Sequence, residues 1–87
     1  VYLDAQKLKF PLQLRKWQEG DLFYPFGMIG KKKLSKFFKD EKLSLVAKEK
    51  IWILTSGAHI VWIVGMRSDH RFKVENQTKK ILKITVL

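Results

Sequence analysis

Apolar and polar residues alternate in two stretches near the N-terminus, Leu8 and Phe10 against Lys7 and Lys9, then Leu12 and Leu14 against Gln13 and Arg15, with Pro11 between them. A period of two marks a half-buried strand, and a proline, which has no N–H for the ladder, marks a bend or an edge. Residues 6–17 are therefore expected to be strand, bent at Pro11. Over residues 18–30, Gly20, Gly27, Gly30 and Pro25 break every period, and Pro25 presses Tyr24 toward extended geometry. This predicts a long, aromatic-rich loop. In residues 31–41 the apolar Leu34, Phe37 and Phe38 stand at i, i+3 and i+4, one helical face, with Lys32, Lys36 and Lys39 opposite. One short helix is expected to begin after Gly30. Residues 50–55 and 59–64 are rich in Ile, Val, Leu and Trp and flank Ser56-Gly57-Ala58, which predicts a hairpin with both strands largely buried. A short strand is expected over residues 71–74, and Leu82, Ile84 and Val86 alternate with Lys83 and Thr85 as in a half-buried strand. Five or six short strands, one basic helix and no βαβ order give an α+β, mostly β fold: a small antiparallel sheet with a helix packed on it.

Eighty-seven residues suffice for a single domain spanning 1–87, because a chain of this size removes only roughly 60 to 65% of its unfolded surface from water and is not expected to support two cores. Hydrophobic residues make up 46% and aromatics 13%, including Trp17, Trp52 and Trp62, enough apolar material to fold. The absence of cysteine excludes disulfides and thiolate metal sites and suits a reducing cytoplasm. The longest apolar run, residues 60–65, is far short of the ~20 needed to cross a bilayer, and no signal-peptide pattern precedes it. A soluble, cytoplasmic protein is expected. The first residue is valine and a strand-like stretch follows almost at once, as in a domain cut from a longer protein.

Charge changes the picture most. Eighteen Lys and Arg against eight Asp and Glu give +10, an imbalance that points to a polyanion, either nucleic acid or an anionic membrane, with a merely solubilising surface as the alternative. Catalytic constellations are missing. There is no cysteine nucleophile, no G-x-S-x-G elbow and no G-x-x-x-x-G-K-[ST] loop; residues 27–32 have glycines and lysines but no Ser or Thr to hold magnesium. His59 and His70 have no partners at metal-ligand spacing, Asp69-His70 reads as a solvated loop pair, and Asp40-Glu41 as an exposed helix end. Lys31, Lys32 and Lys33 are more informative, because they would crowd the positive end of the expected helix while Asp40 and Glu41 sit at the other, a reversed polarity that a phosphate would relieve. A solvated lysine face is the competing reading. Arg15, Arg67 and Arg71 suit a phosphate or a guanine edge, or else surface ion pairs. Trp17, Phe23, Tyr24 and Phe26 read chiefly as core, with base stacking second.

An ordered series of segments resembles the C-terminal domain of bacterial tRNA(Ile)-lysidine synthetases. It runs Leu14-Arg15-Lys16-Trp17-Gln18-Glu19-Gly20-Asp21, Pro25-Phe26-Gly27-Met28, Gly30-Lys31-Lys32-Lys33-Leu34-Ser35-Lys36-Phe37-Phe38, Asp40-Glu41-Lys42-Leu43, Ile60-Val61-Trp62-Ile63-Val64-Gly65-Met66-Arg67-Ser68-Asp69, and Arg71-Phe72-Lys73-Val74 with Thr78. The resemblance implies a small three-layer β-sandwich with a helix, and a non-catalytic module that grips the tRNA(Ile) acceptor stem. The catalytic domain of the same parent chain would use ATP, with magnesium, to convert an anticodon cytidine to lysidine. That domain's Ser-Gly-Gly-x-Asp-Ser loop is absent here, so no cofactor is expected in this domain. By position the resemblance implies RNA contacts at Arg15, Lys31, Lys32, Lys33, Lys36, Lys42, Arg67 and Arg71, and loop-shaping roles for Gly20, Asp21, Pro25, Gly27 and Gly30. Two positions depart from the family pattern. Ser44 stands where many members have proline, and Lys48 near an arginine position, which removes a bidentate contact there. A basic module that docks on an acidic protein or anionic membrane, without nucleic-acid specificity, is the alternative function. An independent small enzyme would need a site that the sequence lacks.

Overall fold

A computed structural model describes residues 1–86. Among these, strands are β1 (Tyr2–Asp4), β2 (Leu12–Lys16), β3 (Leu22–Phe23), β4 (Lys32–Lys33), β5 (Trp52–Ser56), β6 (His59–Ile63) and β7 (Ile81–Lys83), with helices α1 (Leu34–Asp40) and α2 (Leu45–Glu49) between β4 and β5. All pairings are antiparallel: β2-β5-β6 form a three-stranded sheet, and β1-β7 and β3-β4 form two-stranded ribbons.

The run Ile60-Val61-Trp62-Ile63 is apolar at four successive positions, and a regular pleat sends alternate side chains to opposite faces. All four are buried because the three-stranded sheet has a core on each side, two cores where the chain length suggested one, both built on the same central strands. A register shift lets Thr55 face Ile60 and Leu54 face Trp62, leaving Val61 as an extra residue in β6. Val61 and Trp62 thus both reach one core, while Ile60 and Ile63 reach the other.

The first core is closed by α1. Leu34, Phe37 and Phe38 pack with Phe23, Ile53, Ile60 and Ile63, and edge-to-face pairs join Phe23 to Phe37 at 5.2 Å and Trp17 to Phe38 at 5.4 Å. Each such side chain contributes roughly 1.5 to 3 kcal/mol on burial. The second core is closed by the β1-β7 ribbon and its flanks, through Leu3, Leu8 and Phe72, with Leu82 and Ile84 at its edge. Helix, central sheet and outer ribbon make three layers, the mostly β, α+β arrangement that the pattern predicts.

Several local expectations fail for identifiable reasons. Residues 18–30 are not loop throughout: Leu22 and Phe23 form β3, because the chain returns to pair them with Lys33 and Lys32. The helix does not begin after Gly30: Lys32 and Lys33 form β4, whose ladder to Leu22 and Phe23 satisfies their backbone, and Lys33 is extended at φ −66°, ψ 137°. The Leu34 N–H then donates to Asp21 O at 2.9 Å. A second helix, α2, was not expected; Ser44 caps it by accepting from the Ala47 N–H at 3.1 Å, a signal present in the sequence. Residues 70–72 form a 3-10 turn capped by Asp69, not the start of a strand, and residues 5–7 form another before β2. Within β2, Leu12 and Gln13 follow the expected alternation, but Leu14 is 59% exposed and Arg15 half-buried. The final strand stops at Lys83, and Val86 is exposed.

Helix α1 ends with the Lys42 N–H donating to Lys39 O at 3.0 Å and the Leu43 N–H to Phe38 O at 3.1 Å, a Schellman arrangement that packs Leu43 on the first core. The residue that turns the chain is Lys42, at φ +59°, where most helices of this ending have glycine. A left-handed conformation costs a non-glycine residue about 1 to 2 kcal/mol, partly offset by the greater entropy glycine loses on folding. Lys42→Gly is expected to raise stability by roughly 0.5 to 1 kcal/mol in urea denaturation; a lowered midpoint would show that the lysine side chain makes a compensating contact.

Candidate nucleic-acid interface

Arg15 stands on β2 opposite Ile53 of β5, and so on the face that α1 covers. There a tight turn, closed by the Asp21 N–H donating to Gln18 O, brings the Asp21 carboxylate beneath it. The guanidinium donates to both Asp21 oxygens, at 2.9 and 3.0 Å, and to Lys16 O at 3.0 Å. The hydrogen bond to Asp21 raises its pKa above the ordinary arginine value, so the charge is permanent. Asp21 also accepts from the Gln18 N–H at 2.8 Å.

A second pair faces the first. Asp69 has no solvent exposure; it accepts from Arg71 Nε and Nη2, each at 3.0 Å, from the Arg71 N–H at 2.8 Å and from the Tyr24 N–H at 2.9 Å. The Arg71 guanidinium lies over the Tyr24 ring at 4.3 Å, and its Nη1 is 3.3 Å from His59 Nδ1. The reading of Asp69-His70 as a solvated pair is wrong for Asp69; His70 is half-buried, its Nδ1 shut away without a hydrogen-bond partner among the described residues.

Arg15, Arg71, Lys31 and His59 line one open cleft of about 340 Å³, with Gly20, Asp21 and Tyr24 in its walls. Lys31 also borders a neighbouring cleft of about 350 Å³ that holds Lys32, Lys33, Lys36, Pro25 and Gly30. Six of the eight basic positions singled out in the sequence therefore fall on two adjoining clefts. Arg67 and Lys42 line neither; Arg67 donates to Phe26 O at 2.9 Å, and Lys42 turns the chain after α1. Gly20, Gly27 and Gly30 take φ of +91°, +82° and +83°, and Pro25 is buried and bridged to Asp69. Tyr24, His59 and Asp69 were not among the expected site residues; the spacing of Asp69 and Arg71, two apart across a turn, was the available signal for the last.

The lysines are not equivalent. Lys31, Lys33 and Lys36 are exposed, whereas Lys32 is half-buried, pairs with Asp40 at the far end of α1 and lies 5.9 Å from the Phe37 ring centre. The expected crowding of a helix N-terminus by three lysines is thus replaced by lysines on an extended segment, one of them neutralised. On the other face of β2, Leu14, Trp52, Leu54, Trp62 and Ile84 line an apolar groove of about 320 Å³, with Lys16 over the Trp52 ring at 3.9 Å. Among the described residues there is no group of three or more His, Asp or Glu fit to hold a metal, and no helix is long and apolar enough to cross a membrane.

Fold and surface together define a class: a small, basic, mostly β domain with a donor-rich face suited to a polyanion. Residues 12–85 match the family model of the TilS substrate C-terminal domain, and the chain belongs to that family. It is 55% identical over 87 residues to the tRNA(Ile)-lysidine synthase of Parabacteroides distasonis, covering all of this chain and 20% of that protein. To the enzyme of the same name from Bacteroides thetaiotaomicron it is 47% identical over 79 residues, 91% of this chain and 18% of that one. The chain thus spans about a fifth of the length of these relatives. A crystal structure of a TILS C-terminal domain shares its fold, with a TM-score of 0.80 at 23% identity over 92% of this chain and 62% of that chain.

The Lys32 ammonium holds the Asp40 carboxyl below its ordinary value, chiefly by hydrogen bonding. Because the folded-state value is the lower one, the pair's contribution is present above the unfolded pKa and is lost as pH falls through the folded pKa. Lys32→Gln is expected to move the Asp40 titration midpoint up, read by NMR of the side-chain carboxyl carbon; an unmoved midpoint would remove Lys32 as the cause.

Proposed function

We propose that this domain binds tRNA(Ile) for a tRNA(Ile)-lysidine synthase and holds the acceptor stem, while another part of the parent protein, using ATP and magnesium, modifies the anticodon cytidine to lysidine in the cytoplasm. This domain supplies no catalytic group and needs no cofactor. The observation that carries the reading is the convergence of Arg15, Lys31 and Arg71 on one cleft that continues through Lys31 into the Lys33 and Lys36 cleft. The names of the relatives and a charge of +10 support RNA as the polyanion. A-form RNA hides its major groove, so a duplex stem is held mainly through phosphates and 2′-hydroxyls, which asks of a protein an array of donors on a fixed frame.

Affinity for tRNA is expected to fall with salt at a log-log slope of about −3 to −5, the value for four to six phosphate contacts. Changing Lys31, Lys33 and Lys36 together to Glu should weaken binding at least tenfold and make the slope shallower by about 2 to 3, with melting temperature nearly unchanged because these side chains are exposed. Lys32 is left in place because it pairs with Asp40. A flat salt response, or a triple variant that binds as the parent does, would refute the assignment; sedimentation with anionic vesicles in the absence of tRNA binding would establish the docking alternative instead.

A further inference from the structure

We propose that the cleft between Arg15, Arg71 and Lys31 is a fitted site for a single phosphate group, and that Asp21 and Asp69 are positioning residues that aim the two guanidinium groups into it. The attribution of that phosphate to an RNA backbone rests on the function proposed above; the site itself does not.

Net charge alone does not account for this cleft. Its three cations are accompanied by two carboxylates, one in the wall and one buried behind Arg71, so the surplus is one positive charge. A surface meant only to attract RNA would omit the carboxylates, which weaken the field. What they give is geometry. Arg15 and Arg71 are each gripped by two bonds of 2.9 to 3.0 Å, and Arg71 is also seated on the Tyr24 ring. A guanidinium carries five N–H donors. Arg15 uses two on Asp21 and one on Lys16 O; Arg71 uses two on Asp69 and directs a third at His59 Nδ1. Two donors remain on each arginine, four in all, on planes whose orientation is fixed before a ligand arrives, which lowers the entropy lost on binding.

The ligand that matches is defined by these numbers. It must present several acceptor oxygens to four arginine donors and an ammonium, and it should carry about one negative charge, to balance a surplus of one. A phosphodiester has both properties. Arginine forks suit its tetrahedral oxygens in pairs, where lysine acts as a point charge. The cleft, at about 340 Å³ and open to solvent, has room for the diester together with flanking sugar atoms. Lys31, which also borders the second cleft, connects the fitted phosphate to the looser lysine row.

The test uses inorganic phosphate and tRNA on the same 87-residue chain. With ionic strength held constant by sodium chloride, phosphate is titrated while the Arg Nε–H resonances are followed by ¹H–¹⁵N NMR. Arg15 and Arg71 should shift together along one saturating curve, with Arg67 unmoved. The charge-conserving double variant R15K/R71K should lose saturable binding and bind tRNA about tenfold or more weakly with an unchanged salt slope, as when fixed forks become point charges. Asp21→Asn adds one positive charge, so simple attraction predicts tighter tRNA binding; loss of positioning predicts weaker binding. Asp21 is chosen over the fully buried Asp69 because the half-buried turn should fold without its charge, as the melting temperature will verify. Absence of a saturable shift at both arginines, or tighter tRNA binding by Asp21→Asn, would overturn the proposal. Saturable phosphate binding without tRNA binding would keep the cleft and refute the tRNA assignment; tRNA binding unaltered in R15K/R71K would do the reverse.

Discussion

The arrangement of the domain depends on a single buried carboxylate. Asp69 sits where an unpaired charge would cost several kcal/mol, and it is tolerated because four N–H groups converge on its two oxygens. Three of them belong to Arg71, two residues on, and the fourth comes from the distant Tyr24. The Tyr24 N–H belongs to the loop after β3, Arg71 to the 3-10 turn after β6, and the Asp69 N–H itself donates to Val61 O, the bulged residue of the central sheet, at 2.8 Å. Asp69 thus pins the segment after β3, through its side chain, to the irregularity in the main hairpin, through its backbone. The Tyr24 ring, held there, becomes the seat of Arg71, and the cleft follows.

Periodicity made the hairpin and the buried face of α1 legible, because both have strong, unbroken apolar patterns that tertiary packing reinforces. It misled in β2. Leu14 and Arg15 alternate as if leucine faced the core, but Arg15 is directed inward by Asp21, and Leu14 faces the groove on the opposite side, which the outer ribbon only partly covers. A two-residue bond between charged groups six positions apart leaves no periodic trace, so the inversion could not be read from the chain. Helix α2 was missed for the opposite reason. Its cap, Ser44, was visible, but its first turn, Leu45 and Val46, is exposed and offers no amphipathic pattern.

The lysine run lies on a basic cleft, but the mechanism that the sequence suggested for it fails. Lys31, Lys32 and Lys33 do border a basic cleft, yet not through a reversed helix dipole, since α1 begins only at Leu34 and its first N–H is bonded to Asp21 O. Seven residues make a short helix with little macrodipole, and a β-ladder to Phe23 gives the lysine backbone a better set of partners than an extra turn would. The resemblance names these residues without reference to a helix dipole, so the loss of the dipole argument leaves that expectation where it stood.

The structure also separates two kinds of cation that composition counts alike. Lys31, Lys33 and Lys36 are exposed on flexible stems and suit long-range attraction of a polyanion, which sets encounter and salt dependence. Arg15 and Arg71 have surrendered much of their net charge to Asp21 and Asp69 in exchange for fixed direction. Phosphate contacts carry no sequence information by themselves, but contacts held in rigid positions set the register and orientation of the duplex, and only a duplex in one register can present its distant parts consistently. If the function proposed above holds, a module that grips a tRNA by one end while chemistry occurs at the other needs that second property more than it needs charge, and the two aspartates at the cleft, costly for attraction, are what a demand for register predicts.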